Sequence, residues 1–598
     1  MKKLASVFIA ILVFGCNNPQ IIKTEAQEFI DAYTEQYLKY YEESSNAEWE
    51  ANTEIIPGDT TNDVIARRAS EAMAKYTGSV EVITKAKNYL KHKEILDPIQ
   101  IKQLEGILYR AANNPQTVPD IVKKRIAAET EQNSKLFGYQ FMLMGDSVSP
   151  NKLDNLLGSS NNLEERLAAW EASKEVGKEL KDGLENLRKL RNATVRDLDY
   201  PDYFSYQVSD YNLSTADMMS TMDQLIQDVW PLYRELHTYA RYELAKKYGV
   251  NEVPDMLPAH WLPNRWGQDW SAMVEVEGLD LDAALKDKNP EWIVKTGEEF
   301  YKSLGFPSLP KSFYEKSSLY PFPDDSVVKK NTHASAWHMD LQNDVRSLMS
   351  VEPNASWWET VHHELGHVYY FMAYSNDKVP PLLREGANRA YHEAVGSLIG
   401  LASMQAPYLK GRGLIDKNAE ADKIAILLKE ALNYVVFIPF SAGTMSNFEK
   451  QLYADGLPKN EFNSVWWNLV KKYQGIVPPN ARGEEYCDAA TKTHINNDAA
   501  QYYDYALSYV LLFQMHNHIS TKILNQDPTA TDYFGSKETG EFLNGILEKG
   551  ATEDWNKVLK ESTGEEINAK AMLNYFAPLM EWLKKENQGR NYTLPESI

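Results

Sequence analysis

The stretch 361–370 reads VHHELGHVYY and sets His363, Glu364 and His367 inside a run of helix formers. On an α-helix, residues four apart are separated by about 40° around the axis, so the two imidazoles point the same way, one turn apart. Two imidazoles placed like that can share one tetrahedral divalent cation, and zinc is the usual one. Glu364 is rotated by about 100° from His363, off the ligand line but near any water on that cation. Zinc lowers the pKa of its bound water to about 7, and a neighbouring carboxylate can then take the proton. The competing reading is three polar residues that happen to share a helix.

A zinc site that does chemistry needs a third protein ligand and one open corner. The stretch REGANRAYHEAVGSLIG offers Glu393 at the start of a second apolar helix, 26 positions beyond His367. A helix-borne Glu after a Gly-Ala-Asn turn could equally face solvent. Beside the histidine pair it is the candidate third ligand.

The elements that must position these groups are helical. The stretch EAQEFIDAYTEQYLKYYEE places Phe29, Tyr33, Tyr37 and Tyr40/Tyr41 on one stripe, and similar periodicity recurs near 64–93, 119–140, 162–193, 214–247, 417–435, 498–523 and 569–585. Ser214 opens one of these helices and Gly249 follows its close. Strand signals are few; THASAWHMDLQ and VRSLMSVEP, just ahead of the histidine motif, predict a small hairpin. With no long Gly/Ser linker and no internal repeat, the 598 residues read as one large, mainly α body. The 14 Trp and 35 Tyr can fill its core and leave aromatics to line a cavity. A net charge of −21 argues against nucleic acid or an anionic membrane surface as the main partner.

The first residues, MKKLASVFIAILVFGC, form a separate signal. Lys2 and Lys3 precede an apolar run, Leu4 to Phe14, that is too short to span a bilayer as a mature helix. Val13-Phe14-Gly15-Cys16 resembles the lipobox of bacterial lipoproteins, which implies cleavage before Cys16 and lipidation of its thiol. The expected organisation is a signal peptide over 1–15, a tether over 16–23 and a catalytic domain over 24–598. It corresponds to an exported lipoprotein on a periplasmic or cell-surface face, touching the membrane only through its lipid. An ordinary secretory signal with an incidental Cys is the alternative. The other cysteine, Cys487, reads as a small buried side chain.

Motifs beyond the HHELGH core make the chain resemble the angiotensin-converting enzyme family, the zinc peptidyl-dipeptidases. They are LPAHWLPNRWGQDW (257–270), HASAW (333–337), REGAN (384–388), HEAVG (392–396), FIPFS (437–441), WWNLVKKYQGIVPP (466–479), THINNDAAQYYDYALSY (493–509) and MLNYFAPLMEWL (572–583), in the family's order. The resemblance implies a helical body with a deep central channel between two halves, N-terminal helices as a lid and a minimal β-hairpin near the zinc helix. It implies His363, His367 and Glu393 as ligands of one zinc ion, with Glu364 as general base and then proton donor to the leaving amine. His494 and Tyr505 are implied as donors to the tetrahedral oxyanion, and His333 and the Ala334 backbone as contacts to the substrate main chain. Lys492 and Tyr502 match residues that grip the terminal carboxylate of an oligopeptide. An ammonium with a phenol suits that task, and one oxyanion donor typically contributes about 2.7–4 kcal/mol to lowering the barrier.

The chain also departs from the family's pattern. Ser397 stands where an Asp usually orients a zinc-bound histidine, and the His494-to-Tyr505 spacing is one residue longer. Pro290 is read at the place of a Gln that helps hold the terminal carboxylate, which keeps a single-residue carboxypeptidase open as an alternative to dipeptide release. Arg positions of the family's chloride sites read Ser205, Val470 and Asp504, so chloride activation is not expected. The family's disulfides are missing. A third reading, a silent peptide-binding homologue, would require loss of a ligand or of the base, and none is lost.

Overall fold

The structure is a computed structural model that describes residues 19–598, apart from 57, 277–279, 324 and 332. The signal segment 1–15 and Cys16 lie outside the described residues. Helix makes up 65% of the chain and strand 4%, so the architecture is mainly α, as the periodicity predicts. The first helix, Pro19–Thr53, begins inside the stretch expected as a tether, so residues 19–23 are helical.

That helix carries the aromatic stripe. Tyr33 and Tyr37 are buried, and Phe29 and Tyr41 pack beside them. The stripe meets Val82 and Ala86 of Val80–Leu90 and Leu104 and Ile107 of Pro98–Ala112, forming a small apolar core of its own. Leu341 and Leu382 of the main body complete this cluster, so the N-terminal helices form a layer seated on the rest. The periodicity near 64–93 is carried by two helices, Thr61–Thr77 and Val80–Leu90. The break falls at Gly78 and at Ser79, whose hydroxyl caps the second helix.

Behind this layer a single contiguous apolar core runs from Ile83 to Leu594. Its long helix Thr215–Lys247 starts where Ser214 Oγ accepts from Asp217 N at 3.1 Å and is followed by Gly249 at φ 68°, a left-handed position that favours glycine. A helical run over Lys423–Tyr453 is long and apolar enough to cross a membrane, yet 67% of its most apolar window is buried within the protein. It serves as a core helix here. The expected hairpin is present: Ser335–His338 pairs antiparallel with Val345–Leu348, from Ser335 opposite Leu348 to His338 opposite Val345.

Candidate metal centre and its cavity

The histidine motif lies on the helix Ala355–Tyr374, whose N-terminus is capped by the Asn354 side chain accepting from Trp357 N at 2.8 Å. The neighbouring helix Arg389–Met404 is capped in the same way by Asn388, which accepts from Tyr391 N at 2.9 Å. The two helices cross at a pair of glycines. A Cβ on Gly366 would stand 2.9 Å from Gly396 Cα, and one on Gly396 would stand 2.9–3.0 Å from the His363 ring. Only hydrogen at both positions allows so close an approach, and that approach brings Glu393 to the histidines.

His363 Nε2 and His367 Nε2 lie 3.1 Å apart, and Glu393 Oε2 lies 3.8 Å from His363 Nε2. One donor atom from each of the three falls within 4.8 Å of the others. Tetrahedral ligands at about 2.0–2.1 Å from zinc stand roughly 3.3 Å from one another, so this donor set fits zinc with little movement. Burial holds the His363 imidazole well below its ordinary pKa, to about 4, with His367 adding to the effect, so the ring is neutral and offers a lone pair. Glu364 is buried, and its Oε2 has no hydrogen-bond partner among the described residues. Burial, reinforced by Glu393, pushes its carboxyl up to about 8. The preceding His362 faces the other way. Its Nδ1 donates to Trp358 O at 2.7 Å inside the core, which resolves which histidine of the HH pair belongs to the site.

These groups line a cavity of about 1090 Å³ that reaches from the N-terminal layer (Lys102, Tyr109) to the helix Tyr503–His518. His494 and Tyr505 face each other in it, with Nε2 and the phenol oxygen 3.3 Å apart. Lys492 is buried, and its ammonium donates to Gln268 Oε1 at 2.7 Å; Tyr502 OH donates to the same oxygen at 3.5 Å.

The family described as angiotensin-converting enzyme (peptidase M2) matches residues 21–594. The chain belongs to the angiotensin-converting enzyme family. It is 31% identical over 591 residues to the mouse angiotensin-converting enzyme, and the match covers 94% of this chain and 43% of that protein. It is 27% identical over 589 residues to the enzyme of the leech Theromyzon tessulatum, covering 94% and 92% of the two chains. An angiotensin-converting enzyme-related protein of Drosophila melanogaster is 34% identical over 406 residues, covering 64% of this chain and 63% of that protein. The chain thus spans less than half the length of its mammalian relatives and most of the leech protein.

Within this family frame, the structure brings His333, Ala334, Lys492, His494, Tyr502 and Tyr505 to the same cavity as the three candidate ligands. His333 Nδ1 donates to the carbonyl of Ala334 at 2.8 Å at the mouth of the hairpin. Pro290 opens the helix Pro290–Leu304 as its first residue and is not among the residues that line the cavity. The amide that meets Lys492 and Tyr502 is Gln268, within the GQDW stretch, which sequence reasoning quoted without assigning it a role. Its position just before Asp269 and Trp270, in a motif that ends at a buried Trp, was the available signal.

Ser397 makes no hydrogen bond to the histidines. His367 Nδ1 instead lies 2.9 Å from His392 Nδ1, so an imidazole from the Glu393 helix stands where an acceptor is needed. Ser205 bonds Asp202 and Thr215, Val470 is buried, and Asp504 is buried beside Tyr211 and Arg389. Cys487 is buried as a free thiol.

Proposed function

We propose that this protein is a zinc-dependent exopeptidase that releases C-terminal dipeptides from oligopeptides. The observation that carries the reading is one cavity holding both a His-His-Glu donor set with an unpartnered carboxylate and, apart from it, the Lys492–Gln268–Tyr502 group suited to a free carboxylate.

His363, His367 and Glu393 would hold the zinc, which when bound supplies Lewis acidity to a water and to the scissile carbonyl. Glu364, whose carboxyl a cation held beside it would return to the ionised form, takes the proton of the attacking water on Oε2 and delivers it to the leaving amine. Tyr505 OH and the single N–H of neutral His494 donate to the oxygen that gains charge as the carbonyl carbon becomes tetrahedral. Lys492, Tyr502 and Gln268 seat the terminal carboxylate and so fix which peptide bond reaches Glu364. Gln268 places an amide beside Lys492 and Tyr502, and this supports dipeptide release over single-residue release.

The test is a series of N-blocked oligopeptides, read by product mass with and without chelator. The expected product is a peptide shorter by two residues, lost on chelation and restored by zinc. Glu364→Gln should lose at least about 10³-fold in kcat with zinc retained at one per chain. Loss of one residue, or near-normal turnover in Glu364→Gln, sinks the assignment. We further propose that the chain is exported and anchored through a lipid on Cys16, with the cavity outside the cytoplasm. Cys16→Ser should move the protein from the membrane fraction to the soluble exported fraction.

A further inference from the structure

The oxyanion donors sit on a stretch of chain that the metal-binding helices do not contain. His494 is on the short helix Thr493–Asn497 and Tyr505 on Tyr503–His518, with a loop between them. That loop includes Ala500 at φ 63°, a left-handed position uncommon for a residue with a Cβ, so its shape depends on outside contacts. One such contact is Glu449 Oε1, which accepts from Ala500 N at 2.6 Å. A second is Ser441 Oγ, which donates to Tyr502 O at 2.6 Å, and a third runs to the helix of Glu393.

Arg389 is the first residue of that helix, one turn ahead of Glu393 and on the same face. Its guanidinium grips Asp498 with both terminal nitrogens, Nη1 to Oδ1 at 2.8 Å and Nη2 to Oδ2 at 2.5 Å. Its Nε lies 3.4 Å from Asp504 Oδ2. Asp498 directly follows the short helix, and its N–H donates to His494 O at 3.0 Å. Asp504 directly precedes Tyr505. A single planar cation therefore touches both ends of the loop that separates the two donors.

Asp504 is buried, and its second oxygen accepts from Tyr211 OH at 2.7 Å; that phenol oxygen in turn accepts from Ala390 N at 3.1 Å. The arrangement closes on the same helix turn from which Arg389 projects. A bidentate guanidinium–carboxylate pair is directional, unlike a point charge, and removing the half-buried Arg389 leaves the buried Asp504 carboxylate uncompensated.

We infer that Arg389 is a positioning residue that sets His494 and Tyr505 in register with the metal-binding helices by clamping Asp498 and Asp504. The inference rests on the peptidase reading for its kinetic consequence, and on geometry alone for its structural one.

Both are tested on the full chain with zinc bound. In Arg389→Gln, hydrogen exchange of amides in 494–505 should quicken about tenfold or more, while those of 355–374 stay unchanged. With an N-blocked tripeptide, kcat should fall about 10–50-fold with KM within about threefold and zinc still one per chain. Arg389→Lys should recover part of kcat, since an ammonium can reach one carboxylate but not fork across both. Added to Tyr505→Phe, Arg389→Gln should cost less than it does in the wild-type background, because one of the two donors that it positions is already gone. Asp498→Asn, which leaves Arg389 facing Asp504, should move exchange and kcat the same way by less, and serves if Arg389→Gln does not fold.

Unchanged exchange over 494–505, or penalties that multiply in the double variant, overturns the inference. If the wild-type protein cleaves no peptide, the peptidase reading fails, and the exchange comparison still decides the clamp.

Discussion

Gly366 and Gly396 meet backbone to backbone where two helices cross, close enough that a Cβ on the first would stand 2.9 Å from the Cα of the second. This contact turns two separate sequence motifs into one ligand set. The i, i+4 spacing aligns His363 with His367 on its own, but Glu393 reaches them only because nothing larger than hydrogen separates the helices. Gly396→Ala would put a methyl group within 3.0 Å of three atoms of the His363 ring. The ring must then rotate or the helices part. We predict a zinc affinity about 10–100-fold weaker in chelator competition, with helical content retained. Affinity within twofold of wild type would show that the crossing does not set the site.

How much of this was legible in the sequence follows from the range of the interactions. His363, Glu364 and His367 form a local pattern, and Ser214 and Gly249 mark helix ends through bonds to residues three or four away. The helices Pro98–Ala112 and Pro290–Leu304 were not read. The first spends part of its apolar face on a separate small cluster, and the second was approached only through Pro290. Gln268 went unassigned, and the family's Gln was sought at Pro290, because a loop amide has no periodicity to announce it. Only the fold shows that it lies against Lys492, 224 positions away. The Arg389–Asp498 pair, 109 positions apart, is invisible for the same reason.

Lys492 gives substrate binding a pH dependence of known sign. Burial, with Arg265 adding to it, brings its ammonium down to about 7. Below that pH the group is cationic and can hold a carboxylate; above it the free enzyme must take up a proton before gripping one. KM for a peptide with a free C-terminus should therefore be flat below about pH 6.5 and rise by up to about tenfold per unit above 7. Lys492→Met should raise KM about 10–100-fold and abolish the slope, and it should narrow the preference over an amidated peptide. A pH-independent KM in the wild type would remove Lys492 from the carboxylate site.

Chloride should not raise the proposed peptidase activity. The three positions read from the family's anion sites hold Ser205, which is bonded to Asp202 and Thr215, the apolar Val470 and the carboxylate of Asp504. Asp504 lies beside Arg389, so the nearest cation already has its counter-charge within the chain. At fixed ionic strength, rates in chloride and in acetate should agree within about twofold. A severalfold rise with chloride would mean that an anion site persists elsewhere.

Glu449 links the loop between His494 and Tyr505 to the pH dependence of stability. Its carboxylate is buried, and burial pushes it up to about 8; Asp498 and Asp504 push the same way, while the bond from Ala500 N and the Arg191 charge oppose them. The folded chain therefore holds a proton here that an unfolded chain releases near the ordinary Glu value of about 4.3. The stabilising contribution is complete below that value and is lost as pH rises through about 8. Calorimetry at pH 6 and pH 9 should show Tm falling, and Glu449→Gln should shrink the fall by about 1–3 °C. The amide oxygen can still accept from Ala500 N, so the variant should match wild type near pH 4, where the unfolded chain's carboxyl is also largely protonated. An undiminished fall in Glu449→Gln would place the responsible proton on another group.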